Sequence, residues 1–121
     1  SFGFKNGSPR EADLVFDVRF LRNPHYDPEL RPRTGLEREV AAFISDDPEV
    51  ATLKRKLADL LEFLLPRYAA EGKSHLTVAV GCTGGRHRSV FMTQWLAAHF
   101  ADADFAVSEV HRDISRDGTS S

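Results

Sequence analysis

The run Gly81-Cys82-Thr83-Gly84-Gly85-Arg86-His87-Arg88-Ser89 is a stretch whose residue types and spacing could do chemistry. It carries a thiol, hydroxyls, an imidazole and guanidinium groups among glycines. Leu76-Thr77-Val78-Ala79-Val80 before it is an apolar run of the buried-strand type. Val90, Met92, Trp95, Leu96 and Phe100 after it predict a helix from about Arg86 to Phe100. The first amides of a helix lack internal partners, and the helix dipole makes that end positive. Gly84 and Gly85 let the backbone curl so that several N–H groups converge on one anion. Arg88 adds a bidentate donor, and Thr83 and Ser89 add hydroxyls. The expected chemistry is a phosphate held without a metal, by Cys82, Thr83, Gly84, Gly85, His87, Arg88 and Ser89. The competing reading is an ordinary strand-to-helix turn with solvated arginines. A nucleotide P-loop is excluded, because no Gly-Lys-Ser/Thr follows the glycines.

The same letters fit Cys-x5-Arg-Ser, the loop of cysteine-dependent phosphatases. There a thiolate attacks phosphorus while amides and arginine hold the oxygens. Cys82 at a helix start beside Arg88 is the candidate nucleophile, and Asp17 or Asp27 the candidate general acid. Gly81 stands where such loops usually carry histidine. Cys82 as a small buried residue at a strand end is the favoured alternative. No catalytic residue is therefore assigned, and the chain is expected not to be an enzyme.

The elements that must position this loop read as follows. Phe2-Gly3-Phe4-Lys5 suits a short strand, and Asn6-Gly7-Ser8-Pro9 a turn. Leu14 to Val18 reads as a buried strand with Asp17 at its end. Prolines at 24, 28 and 32 forbid a long element there, and an ordered loop of this length is more often functional than a connector. Residues 36–44 predict a short helix. Asp46-Asp47-Pro48 opens a longer one, in which Val50, Leu53, Leu57, Leu60, Leu61, Leu64 and Leu65 recur at helical spacing. Pro66 is expected to kink or end it. Phe105 to Val110 reads as a last strand, and Asp113 to Ser121 as a flexible polar tail. Strands alternating with helices predict a single α/β layered domain, with helices packed on a mainly parallel sheet.

The chain has 121 residues, 41% hydrophobic and 28% charged, enough for one domain with a real core. A net charge of −2 is unlike that of a dedicated nucleic-acid module, so RNA binding would need a local basic patch. Lys5, Arg19, Arg22, Arg31, Arg33, Arg86, Arg88 and Arg112 are the candidates for one. No apolar run reaches the roughly 18–20 residues of a membrane span. Cys82 is the single cysteine, which agrees with a cytoplasmic setting. The five histidines form no zinc pattern, and no cofactor is expected. Ser1-Phe2-Gly3-Phe4 looks like the inside of a strand, so the chain is expected to be cut from a longer one.

The chain resembles the C-terminal domain of the RapZ/YvcJ family, bacterial RNase adapter and nucleotide-binding proteins. The resemblance runs from Ser1 to about Arg112. It includes Ser1 to Lys5, Asp13 to Phe20, Asn23-Pro24-His25, Leu30-Arg31-Pro32, Thr34-Gly35-Leu36, Leu76 to Val90 and His111-Arg112. It implies a domain of residues 1–112 that senses glucosamine-6-phosphate, with a fold like the sugar-phosphate domain of phosphofructokinase. It also implies an N-terminal Walker-type domain in full-length relatives, with room for a homo-oligomer. In one branch it implies binding of a small regulatory RNA and its delivery to RNase E. Asp17, at the carboxyl end of a strand, and His25, on the proline-bounded loop, are expected to reach the sugar. An Asp17–Arg19 or Asp17–Arg31 pair, and His25 packed on Tyr26, are the alternatives. Glu29 and the tail from Asp113 to Gly118 depart from the lysines of RNA-binding relatives.

Overall fold

Val78-Ala79-Val80-Gly81-Cys82 is buried from Ala79 onward, and only a strand flanked on both edges and both faces accommodates such a run. In the computed structural model, which describes residues 1–103 and 105–116, it is the central strand of a parallel sheet. Strands β1 (Phe2–Gly3) and β2 (Leu14–Asp17) flank β3 (Val78–Cys82) in the order β1-β3-β2. β2 aligns Leu14 with Val78 and Asp17 with Gly81. β1 aligns Phe2 with Gly81 and Gly3 with Cys82. The carboxyl ends of all three strands thus meet at the start of the glycine-rich loop. β2 is an edge strand, with Val15 45% exposed, rather than the fully buried strand expected.

Three helices complete the α/β domain: α1 (Arg38–Ser45), α2 (Glu49–Ala70) and α3 (Arg88–His99). At the approach to α1, Glu37 Oε2 accepts from Thr34 N–H at 2.7 Å, half of a capping box. Asp47 Oδ1 accepts from Glu49 N–H at 2.9 Å and so caps α2. Val50, Leu57, Ala58 and Leu61 form the buried stripe of α2. They pack with Val40 and Ile44 of α1, Val80 of β3 and Met92 and Leu96 of α3. Leu60 lies on the exposed side of α2 instead.

Pro66 does not end the helix; α2 runs on to Ala70. Proline removes only its own N–H, and Pro66 is exposed, so the carbonyl it leaves unpaired meets water. The first strand is shorter than expected, because Phe4–Asn6 turn into a 3-10 helix closed by Gly7 at φ 86°.

Phe105 to Val110 is not a strand: no other strand pairs with it among the described residues. The tail expected from Asp113 is folded as far as Arg116. Asp113 is fully buried and accepts from Gly3 N–H at 2.7 Å. Residues 117–121 lie outside the described residues. No helix among the described residues is long and apolar enough to cross a membrane.

Candidate functional site

Residues 83–87 run irregularly from the end of β3 to the first turn of α3. The N–H groups of residues 85–90 form no backbone hydrogen bond among the described residues, and Phe91 N–H is the first in α3 to bond, to His87 O at 2.9 Å. Gly85 makes the curl with φ 82°, a conformation that side-chain-bearing residues rarely adopt. A Cβ there would also lie 2.5 Å from Gly3 N. The result is a row of unclaimed backbone donors at the positive end of a helix.

Arg88 opens α3 and is only 3% exposed. Its Nη1 donates to the carbonyl oxygens of Arg19 and of Leu21, the latter at 3.2 Å. Nη2 reaches Thr83 Oγ1 at 3.5 Å. Nε is buried with no partner among the described residues. Burial lowers its pKa, yet guanidinium stays charged throughout the accessible range. Among the described residues no carboxylate forms an ion pair with it. A buried cation held by neutral oxygens alone is costly unless an anion joins it.

Asp17 stands at the end of β2 opposite Gly81, where the strand pattern puts it. Its carboxylate is engaged by Arg19, with Nη2 at 2.6 Å and Nε at 3.0 Å from Oδ2. This bond, before any other effect, holds Asp17 below the usual carboxylate range. Both side chains are about half exposed, 47% and 48%, so a ligand can compete for the pair at little cost. His25 packs edge-on against Tyr26, with ring centroids 5.7 Å apart. Its Nδ1 has no partner among the described residues. Burial, then the charges of Arg31, Lys5 and Arg88, push its pKa down. The histidine, both arginines and the lysine therefore share one positive region.

Other expected residues face inward. His87 is 1% exposed, and its Nε2 lies 2.7 Å from Arg33 O and 3.2 Å from Arg31 O. Two carbonyl neighbours require that nitrogen to carry the proton. Burial lowers the His87 pKa against the pull of those two carbonyls. Cys82 is fully buried within the apolar cluster, and its Sγ lies 3.1 Å from Ser89 Oγ, itself buried. A side chain at Gly81, where phosphatase loops carry histidine, would displace both aromatic rings: a Cβ there would fall 2.5 Å from Phe2 Cζ and 2.6 Å from Phe4 Cε2.

The basic residues weighed for RNA are mostly committed within the chain. Arg86 donates to Ile114 O, Arg31 O and Pro32 O at 3.1, 3.3 and 3.1 Å. Arg31 Nε donates to His25 O at 2.6 Å. Arg112 holds Asp113 and Gly7 O, and Arg19 lies 4.0 Å over the Phe4 ring besides binding Asp17. Among the described residues no three His, Cys, Asp or Glu side chains gather as a metal site.

Three positioning residues escaped the motif reading. Gly35 N–H donates to Arg86 O at 2.8 Å, and a Cβ on Gly35 would stand 2.2 Å from His87 O. A Cβ on Gly3 would likewise stand 2.3 Å from the carbonyl carbon of Gly84. Asp113 packs beneath Gly85. Burial would raise its pKa, but Arg112, the Gly3 amide and Arg116 outweigh that and hold it at about 2. The available signals were the glycine between two phenylalanines and the glycine after Thr34; a lone aspartate near a chain end gives none.

The family model for the RapZ C-terminal domain matches residues 1–115. A nucleotide-binding protein of Rhodospirillum centenum is 59% identical over 96% of this chain and 35% of its own length. One from Rhodospirillum rubrum is 56% identical over 94% of this chain and 36% of its own. One from Geobacillus kaustophilus is 53% identical over 96% and 39%. The chain thus spans little more than a third of the length of the curated relatives it matches, and its sequence, from the first strand through the buried aspartate under the glycine-rich loop, belongs to the RapZ C-terminal domain family.

Proposed function

We propose that this domain is a non-catalytic sensor of a small phosphorylated amino sugar, with glucosamine-6-phosphate as the ligand. The observation that carries the reading is Arg88: a buried, charged guanidinium with no carboxylate partner among the described residues, beside unclaimed helix-start amides. A phosphate supplies the missing negative charge and accepts from those amides, so the cost of burying Arg88 is recovered on binding. Asp17 and His25 stand at the same end of the sheet. A carboxylate already holding one cation through an exposed pair suits a sugar ammonium group, which is why the amino sugar is preferred over a plain one.

Chemistry on the ligand is not part of the reading. Cys82 is sealed in the core rather than presented to the loop's open side. Nucleotide binding, for which the relatives are named, describes proteins nearly three times as long. We assign it to the portion preceding this domain. The RNA role of the family finds little support in arginines already bound to carbonyl oxygens.

Calorimetric titration with glucosamine-6-phosphate tests the proposal, with glucosamine and inorganic phosphate as controls. Saturable binding by the sugar phosphate, weaker for phosphate and absent for glucosamine, is the expected result. No heat and no thermal shift at millimolar ligand overturns it.

A further inference from the structure

Ser1 makes both bonds of a parallel strand pair. Its N-terminal ammonium donates to Val110 O at 2.8 Å, and its carbonyl accepts from Arg112 N–H at 3.0 Å. That pattern aligns Ser1 with His111. Ser1 leads directly into β1, whose other edge pairs with Gly81 and Cys82 of β3. Residue 111, β1 and β3 are therefore successive positions across one parallel sheet.

Two backbone edges continue from this level toward the amino-terminal ends of the strands. One is β3: β1 reaches only Gly81 and Cys82, so Val78 and Ala79 have β2 as their one strand partner among the described residues. The other is the segment 105–110. Residues 106–110 are all exposed, with Val107 at 43% and Val110 at 71%. An open groove of about 450 Å³ runs along it, lined by Ala97, Ala98 and Ala101 near the end of α3 and by Phe105, Val107 and Glu109.

We propose that the residues immediately before Ser1 in the full-length protein extend β1 as a strand between β3 and residues 105–110, making the latter the outer strand of a four-stranded parallel sheet. Register argues for this occupant. A segment continuous with Ser1 enters already aligned with His111 on one side and with β3 on the other, whereas a separate peptide must find both. Length argues for it too. The relatives are nearly three times as long, and the matched family model is that of a C-terminal domain, so in those relatives chain precedes the matching region. The surface agrees: exposed Val107 lines the groove together with Ala97 and Ala98 of α3, which suits an apolar strand residue between them. Through β1, the preceding domain then pulls directly on Gly3, which lies against Gly84 of the anion loop.

The register predicts which amides respond. Val110 N–H meets the carbonyl of the second residue before Ser1, Ser108 N–H that of the fourth, and Val80 N–H that of the residue adjoining Ser1. Amide hydrogen exchange read by NMR, on the full-length protein and on the 121-residue chain, tests this. The expected result is slowing by about tenfold or more at Val80, Ser108 and Val110 in the full-length protein, with Val107 and Glu109 exchanging freely. Equal exchange in the two proteins overturns the proposal. Uniform slowing from 106 to 110 also overturns it, since that pattern marks a packed surface and not a ladder. Slowing in the short chain that grows with protein concentration assigns the edge to a second copy and overturns it as well.

Discussion

Replacing Arg88 by methionine separates the two roles of its side chain. Methionine keeps the length and the helix propensity of the first turn while removing the charge and every donor. Without ligand, the variant loses the bonds from Nη1 to the Arg19 and Leu21 carbonyls, each worth about 1.5–3 kcal/mol for a charged donor. It also sheds the penalty of a desolvated cation, which is several kcal/mol in a site without a counter-ion. The two effects oppose each other, so stability should change by no more than about 2 kcal/mol. Binding has no such offset. Two charge-assisted contacts to phosphate, at about 1.5 kcal/mol each, amount to about 3 kcal/mol, or on the order of a hundredfold in Kd. The assay is calorimetric titration with glucosamine-6-phosphate, paired with urea unfolding of the free protein. A methionine variant that binds within about threefold of wild type refutes the reasoning. So does a variant that unfolds far more easily, because Arg88 would then be a structural staple whose charge was already compensated.

Gly35→Ala should destabilise by about 1–3 kcal/mol, because the added carbon meets the backbone of His87 and Phe91, which cannot yield; thermal unfolding reads this, and an unchanged melting temperature contradicts the close packing. Asp113 has a native pKa of about 2, below the usual value of 3.8, so its contribution is present above pH 4 and fades as pH falls toward 2. Asp113→Asn should erase about 2 kcal/mol of that acid dependence, and parallel stability-against-pH curves for the two proteins would show otherwise. For His87 the sign is opposite to that of a histidine gaining a partner: its folded pKa is depressed, so stability falls as pH drops below about 6.5 and the unfolded chain takes up the proton. Replacing the titratable imidazole with a phenyl ring, in His87→Phe, should flatten that stretch of the curve. Cys82 should react with a disulfide reagent only after unfolding; rapid native labelling would restore the thiol as a candidate nucleophile.

The central strand, the three helices and the glycine-rich turn were legible because each rests on a local pattern: a buried run, a 3.6-residue stripe, glycines between the two. What local pattern cannot carry is the partner. Phe105 to Val110 has the composition of a strand, but a strand exists only beside another, and among the described residues only its last member, Val110, is bonded to the segment that leads into β1. Pro66 does not end α2, because a proline removes one N–H and the rest of a long helix's ladder continues past it. At the site, strand ends located Asp17 and the loop itself. They did not reveal that His87 and Arg86 turn back onto residues 31–33. Side-chain type announces a donor but not the direction in which it points, and carbonyl acceptors have no signature in sequence.

The first and last described segments meet under the glycine-rich loop, through Ser1 with Val110 and Arg112 and through Gly3 with Asp113. During synthesis the amino end therefore leaves the ribosome more than a hundred residues before the groups that anchor it. Until Asp113 emerges, β1 has half its attachments and the curl at Gly85 has no floor. Closing such a long-range, parallel arrangement is intrinsically slow. A nascent chain that stops short of about Asp113 should thus lack the buried carboxylate under Gly85, so the shape of the glycine-rich loop is completed late in the synthesis of this segment.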